Sequence, residues 1–269
     1  MTSAGRDGAG REHPLRILLT NDDGIYAPGL RALRTELKKI GDVLVVAPAT
    51  EQSAVGHSIT LLTPLLVQEV LDEGQKAMGW AVEGRPADCV KLALMELCPE
   101  PPEVVVSGLN SGSNAGINVL YSGTVAAAIE AAFYGYTSIA VSLEYTKPKP
   151  LDFPRAAAVA RQVIEQILAQ KPATGSLFNV NIPSLEKGPI RGIRVVPQNV
   201  APYRETFDRR VDPRGRVYFW TQPGLQCPDP HPDSDVTALA EGYITVTPLQ
   251  FNLTHWQEME TMRRWDWRL

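Results

Sequence analysis

The chain has 269 residues, 44% of them apolar and 21% charged, which describes a globular protein long enough for one large α/β domain or two small ones. Its formal net charge of -4 argues against a long nucleic acid as partner, while a small phosphorylated ligand needs only a local site. Its three cysteines, Cys89, Cys98 and Cys227, lack C-x-x-C spacing, and no apolar run approaches the ~20 residues of a membrane span; reduced thiols in a cytoplasmic protein that does not engage a membrane are expected.

Residues 1–13 are polar and rich in Gly and Arg, without the apolar stretch of a signal peptide, and read as a disordered extension. At Leu15 the pattern changes to an apolar strand, residues 15–20, ended by Asn21-Asp22-Asp23-Gly24. Pro28-Gly29 opens a helix with Leu30, Leu33 and Leu37 on one face, and a second apolar strand, 43–47, stops at Pro48. Continuous apolar strands alternating with amphipathic helices predict βαβ units and a parallel sheet covered on both faces. Residues 59–70 and 78–82 flank Asp72-Glu73-Gly74-Gln75 and predict an antiparallel hairpin. Pro86 suits the first turn of a helix running to about Leu97. The α/β rhythm then returns: strand 103–107, a glycine-rich loop, a helix from about Ser122 to Tyr134, strand 138–143, helix 151–170 and strand 178–182.

Beyond Pro197 the composition shifts to Pro, Arg and Asp, with strands expected at 216–220 and 242–247. Such a stretch with exposed aromatics reads either as an arm docked on a neighbouring subunit or as a surface excursion. The whole of 14–269 is expected to form a single domain, with a core over about 15–196 and a distinct C-terminal region over about 197–269.

In open parallel sheets, ligands bind outside the carboxyl ends of the strands. Three loops end there: one carries Asp22 and Asp23, one carries Ser53, and the third is the segment from Gly108 to Gly116, with Asn110 and Asn114. Carboxylate, hydroxyl and amide oxygens suit Mg²⁺ or Mn²⁺, whereas His13, His57, His231 and His255 have no metal-ligand spacing. Asp22-Asp23-Gly24 is equally the pattern of a capped turn, and Ser122-Gly123-Thr124, taken alone, is more often an ordinary helix cap than a phosphate-binding helix start. No G-x-S-x-G, P-loop or dinucleotide fingerprint is present. A haloacid-dehalogenase reading would put Asn21 at the nucleophile, where an amide cannot form an aspartyl-phosphate. A receiver-domain reading lacks a placeable second Asp and Lys.

The motifs together resemble one family. Asn21-Asp22-Asp23-Gly24-Ile25 with Ala27-Pro28-Gly29, then Ala47-Pro48 with Glu51-Gln52-Ser53-Ala54 and Ser58-Ile59-Thr60, match the stationary-phase survival protein SurE family. So do Gly84-Arg85-Pro86-Ala87-Asp88-Cys89-Val90, the stretch from Val106 through Asn110 to Ser122-Gly123-Thr124-Val125-Ala126-Ala127-Ala128, and Glu241-Gly242-Tyr243 with Thr245-Val246-Thr247-Pro248-Leu249. The likeness runs from about Leu15 to about Leu253. It implies a Rossmann-like three-layer α/β fold with a mostly parallel sheet, β-hairpin excursions and a C-terminal oligomerisation arm. It also implies a metal-dependent phosphomonoesterase that hydrolyses nucleoside monophosphates by a metal-activated water. The 5′-nucleotides are the expected substrates, with 3′-nucleotides and polyphosphate as further candidates. By motif, Asp22, Asp23, Ser53 and Asn110 would hold one Mg²⁺ or Mn²⁺ per subunit, with Asp22, Asp23 and Asn110 also counted as catalytic. Asn114, Ser122, Gly123 and Thr124 would lie at the phosphate. A homodimer or homotetramer is implied. Arg85 stands where the family commonly has Thr, a departure that bears on substrate preference rather than on the reaction.

Overall fold

The computed structural model describes residues 13–72, 74–146, 150–221 and 227–269. The N-terminal extension expected over 1–13 therefore lies outside the described residues except for His13, as does Glu73 of the hairpin turn. The chain begins with β1 (Leu15–Thr20), α1 (Pro28–Leu37), β2 (Gly41–Pro48), β3 (Val67–Leu71), β4 (Ala77–Val82) and α2 (Pro86–Leu92), which continues as a π-helical turn over Ala93–Leu97. Next come β5 (Val104–Ser111), α3 (Asn118–Tyr121), α4 (Gly123–Phe133), β6 (Thr137–Leu143), α5 (Phe153–Ala169) and β7 (Leu177–Ile182). The last part holds β8 (Ile193–Val195), β9 (Phe207–Val211), β10 (Val217–Thr221), α6 (Asp235–Ala240), β11 (Ile244–Leu249) and α7 (Trp256–Met262).

Alternation along the strands sets the layers. Ile17, Leu19, Val45, Ala47, Val104 and Val106 join one apolar cluster with residues of α1 and α5, while Leu18, Val46 and Val105 join another with residues of α2 and α4. Both faces of the central strands are therefore buried, as a parallel sheet covered on two sides requires. Pro28 and Pro86 open their helices, where a missing N–H costs nothing and the fixed φ fits. The main sheet has the order β3-β4-β2-β1-β5-β6-β7-β11-β8, parallel except where β3 meets β4 and β11 meets β7. From β1 the chain first builds outward through β2 and then crosses back to β5 on the other side. This reversal opens a crevice at the carboxyl ends of β1 and β5.

Three expectations need correction. The strand expected over 59–70 shortens to β3, because Thr60 gives its N–H to both carboxylate oxygens of Asp88 at 3.0 and 2.9 Å and Pro64 has none to give. The loop expected from Gly108 is strand as far as Ser111: Leu109 is fully buried, and after a register shift Asn110 and Ser111 pair with Ser142 and Leu143. Lastly, Ser122 is the cap of α4 rather than its first residue. The C-terminal region is divided. Its strand β11 enters the main sheet and α6 packs on it, while β9 and β10 form a separate two-stranded hairpin.

Candidate functional site

The crevice is a cleft of about 740 Å³. One side is built by the turn after β1. Asn21 donates from Nδ2 to the Gly24 carbonyl at 2.9 Å, and Gly24 takes a φ of +97°, which a side chain would resist. The turn exposes Asp22 and Asp23 to the same space. Main-chain bonds tie the next loop to it: Gln52 N–H donates to the Asp22 carbonyl at 2.7 Å and Ile25 N–H to Pro48 at 2.8 Å. Ser53 is thereby brought to the mouth of the cleft, where its hydroxyl donates to the Glu51 carboxylate.

The other side comes from β5 and α4. Asn110 donates from Nδ2 to the Gly112 carbonyl at 2.7 Å, and its Oδ1 has no hydrogen bond among the described residues. Ser111 N–H donates to Asp23 at 3.2 Å. The start of α4 approaches Asp22 so closely that a Cβ on Gly123 would lie 2.8 Å from the Asp22 Cβ. Glycine is required there by contact rather than by backbone angle. Thr124, fully buried, donates its hydroxyl to Asp22 Oδ1 at 2.5 Å. Ser122 accepts from Val125 N–H at 3.0 Å, so it caps α4 while its own hydroxyl proton stays free for the cleft.

Six of the eight predicted site residues line the cleft: Asp22, Asp23, Ser53, Asn110, Asn114 and Ser122. Gly123 and Thr124 stand directly behind, with Thr124 turned toward Asp22. Arg85 does not line the cleft; it donates to the Gln52 side chain, bracing the loop that carries Ser53. The sequence reading passed over Glu51, Asn118, Tyr121 and Phe153, which complete the walls. Glu51 and Tyr121 stand inside the matched motifs, Glu51 legible there as a third acid, while Phe153 comes from a segment with no motif of its own.

Electrostatics sharpen the picture. Burial pushes the Asp22 carboxyl above its ordinary range, against the opposing hydrogen bonds from Thr124, and the Glu51 charge adds to the push. Asp23 is pushed up to about 6, first by burial and then by the Asp22 charge, with Ser111 N–H working the other way. Asp22, Asp23 and Glu51 thus crowd one cleft whose lining includes no Lys, Arg or His among the described residues. Such a cleft repels an anion unless a cation enters with it. The donors fit a hard divalent ion: carboxylate oxygens from Asp22 and Asp23, a hydroxyl from Ser53 and the uncommitted Oδ1 of Asn110. Among the described residues no three His, Cys, Asp or Glu side chains converge to hold a metal ion by themselves, so neutral oxygens would have to complete the shell.

Comparison with known proteins covers nearly the whole chain. A protein of Rhodopirellula baltica named 5′-nucleotidase SurE is 53% identical over 258 residues, covering 94% of this chain and 100% of that one. Its namesake from Syntrophobacter fumaroxidans is 46% identical over 252 residues, again covering 94% and 100%. The crystal structure of the SurE protein from Aquifex aeolicus superimposes with a TM-score of 0.79 at 35% identity, covering 92% of this chain and 98% of that one. The family model described as Survival protein SurE matches residues 17–205, and with these likenesses the chain belongs to the SurE family.

Proposed function

We propose that this chain is a divalent-cation-dependent 5′-nucleotidase, a phosphomonoesterase that splits nucleoside monophosphates into nucleoside and phosphate. One observation carries the reading: buried Asp22 and part-buried Asp23 sit with Glu51 in a cleft lined by no cationic side chain among the described residues, facing the start of α4. The names of the relatives supply the substrate class. One Mg²⁺ or Mn²⁺ per subunit, held by Asp22, Asp23, Ser53 and Asn110, would supply Lewis-acid polarisation of the phosphoryl group and a more acidic water.

The chain's own residues do the rest. Thr124 fixes the rotamer of Asp22 through their 2.5 Å hydrogen bond. Ser122 offers its hydroxyl proton, uncommitted among the described residues, to a phosphoryl oxygen, and the start of α4 turns the positive end of a helix dipole toward the cleft. Asn114 lines the same side with its amide. Charge developing on the phosphoryl oxygens is met by donors already in place, where electrostatic stabilisation is most effective. Tyr121 and Phe153 leave an open, part-apolar wall for the nucleoside.

We assign the chain to the cytoplasm and to a homodimer or homotetramer. No described helix is long and apolar enough to cross a membrane, the three cysteines are unpaired, and Phe219, Trp220, Trp265 and Trp267 are exposed in the single chain.

The test is phosphate release from nucleoside 5′- and 3′-monophosphates and short polyphosphate, after chelation and again with Mg²⁺ or Mn²⁺ restored. Asp22→Asn is expected to keep the fold and lose on the order of 10³-fold in rate, about 4 kcal/mol of transition-state stabilisation. Release that survives chelation, or near-normal turnover by Asp22→Asn, would refute the reading.

A further inference from the structure

Asn114 is held by its neighbours more completely than any other residue of the cleft. Its N–H donates to Asn181 Oδ1 at 2.7 Å, and its carbonyl accepts from Asn179 Nδ2 at 2.8 Å and Asn181 Nδ2 at 3.4 Å. Its side-chain Nδ2 donates to the Ser142 hydroxyl at 2.8 Å. Every one of these partners is fully buried, on β6 and β7, while Asn114 itself reaches the cleft.

These partners break the pattern of their strands. Val141, Leu143, Val180 and Ile182 face the α1–α5 layer, and between them Ser142, Asn179 and Asn181 face the opposite side, where aliphatic residues would ordinarily pack. Ser142 and Asn181 stand opposite each other across the β6–β7 pair, and Asn179 is two residues from Asn181 on the same face. Asn179 commits its Nδ2 to Asn114 and leaves its Oδ1 buried with no partner in the described residues. A residue present only for stability would serve better as an aliphatic isostere, since an unmatched buried amide oxygen works against folding. What Asn179 gains is a fixed Asn114.

We propose that Ser142, Asn179 and Asn181 are positioning residues that clamp Asn114, backbone and side chain, in the place where it meets the substrate phosphate. The proposal rests on the nucleotidase reading above. Asn114 lies between Gly112, whose N–H donates to the Leu143 carbonyl at 2.8 Å, and Gly116, whose N–H donates to Asp235 at 2.8 Å; between these anchors the groups that hold Asn114 itself are the amides of β7 and the hydroxyl of β6. The clamp couples the phosphate side of the cleft to the middle of the sheet. A displacement of about 1 Å at a reacting centre is enough to cost about 10²-fold in rate.

The experiment uses the full chain with Asn181→Leu, Asn179→Leu and Ser142→Ala. It measures kcat and KM for phosphate release from a nucleoside 5′-monophosphate with Mn²⁺. It also measures hydrogen exchange at the Asn114 amide in chelated protein without substrate. Asn181→Leu is expected to lower kcat by about 30- to 100-fold with KM changed less than about threefold, the pattern of a lost transition-state donor. Its Asn114 amide should exchange at least about tenfold faster, because the acceptor of that N–H is gone. Ser142→Ala should lower kcat by about three- to tenfold and leave the Asn114 exchange rate unchanged. Wild-type kcat together with wild-type exchange in Asn181→Leu overturns the proposal. If Asn181→Leu fails to fold, Asn179→Ser, which deletes the bond to the Asn114 carbonyl with a smaller side chain, is judged by kcat alone, and wild-type turnover there overturns it equally. A wild-type chain that releases no phosphate would bring down the nucleotidase reading and this proposal with it. An active wild type with unaffected variants brings down the positioning role alone.

Discussion

At the cleft, carboxylates and amides are buried; in the C-terminal hairpin, aromatic rings are exposed. Asp22 is 6% exposed and Thr124, Asn179 and Asn181 are fully buried, whereas every residue of β10 is exposed, with Phe219 at 60% and Trp220 at 59%. Each region departs from the usual partition of polar outside and apolar inside, in opposite senses. In the cleft the departure is supported from behind, by hydrogen bonds from Thr124, Ser111 and β7. In the hairpin no such support exists within the described chain, because β9 and β10 pair only with each other. The cleft holds its polar groups in a rigid frame, and the hairpin presents apolar surface with no cover among the described residues.

The sharpest way to separate the two is to make the same kind of cut in each. Leu109 lies in the core beneath the cleft floor, next to the lining residue Asn110, fully buried, with its carbonyl against Gly29 of α1, where a Cβ would come within 2.1 Å. Leu109→Ala should cost about 3 to 4 kcal/mol, because the backbone on both sides is too tightly packed to collapse into the void. For a chain of this size that is a fall in Tm of about 8 °C. A Tm within about 2 °C of wild type would mean that the cleft floor is not part of the rigid frame.

Reading the sequence succeeded where pattern and chemistry coincide. The strands 15–20 and 138–143 are short, mostly apolar runs bounded by turn residues, so composition and length agree on a buried parallel strand. The acidic turn was legible because Asp22-Asp23 interrupts an apolar run at the carboxyl end of the first strand. The extension of β5 through Ser111 was not legible, since Gly108, Asn110 and Ser111 carry no strand propensity and are held by pairing with β6. Nor was β9, a charged run, Asp208-Arg209-Arg210, that becomes strand only by pairing with β10. Asn179 and Asn181 did leave a signal, two amides at alternate positions of a strand whose other residues are apolar. Their partner, Asn114, is 65 and 67 residues away, and no local pattern links them.

A smaller effect tests the charge side of the comparison. In metal-free protein Asp23 faces Asp22, Glu51 and the Ser111 N–H, and its folded pKa of about 6 stands above the ordinary value of 3.8. An acid with a raised folded pKa holds its proton more tightly when folded. Its favourable contribution is complete below pH 3.8 and is lost as pH rises through about 6. Asp23→Asn should therefore make chelated protein more stable at pH 8, by about 1 to 2 kcal/mol after allowance for solvent screening, and leave it unchanged near pH 3.5. Adding Mg²⁺ or Mn²⁺ should reverse the order at pH 8, because wild type then gains a ligand that the variant has lost. Chelated Asp23→Asn that is less stable than wild type at pH 8 would show that Asp22, Asp23 and Glu51 do not repel one another as the geometry requires.

The smallest expected change in chain stability lies in the hairpin. Trp220 is 59% exposed on β10, and among the described residues the strand's only partner is β9. Trp220→Ser therefore removes little buried apolar surface from a single subunit, and its effect on unfolding at high dilution should stay below about 0.5 kcal/mol. An isolated two-stranded hairpin is marginal in water, so one that carries Phe207, Phe219 and Trp220 needs a surface to cover it. If a second subunit supplies that surface, Trp220→Ser with Phe219→Ser should move the protein toward monomer in light scattering at micromolar concentration. Phosphate release by the remaining subunits should continue, since neither residue lines the cleft. An unchanged mass would leave the hairpin without a role in assembly and shift attention to Trp256, Trp265 and Trp267, the other exposed tryptophans of the C-terminal region. A lost mass with intact turnover would show that the two departures from ordinary burial serve separate ends, one for the ligand and one for the partner subunit.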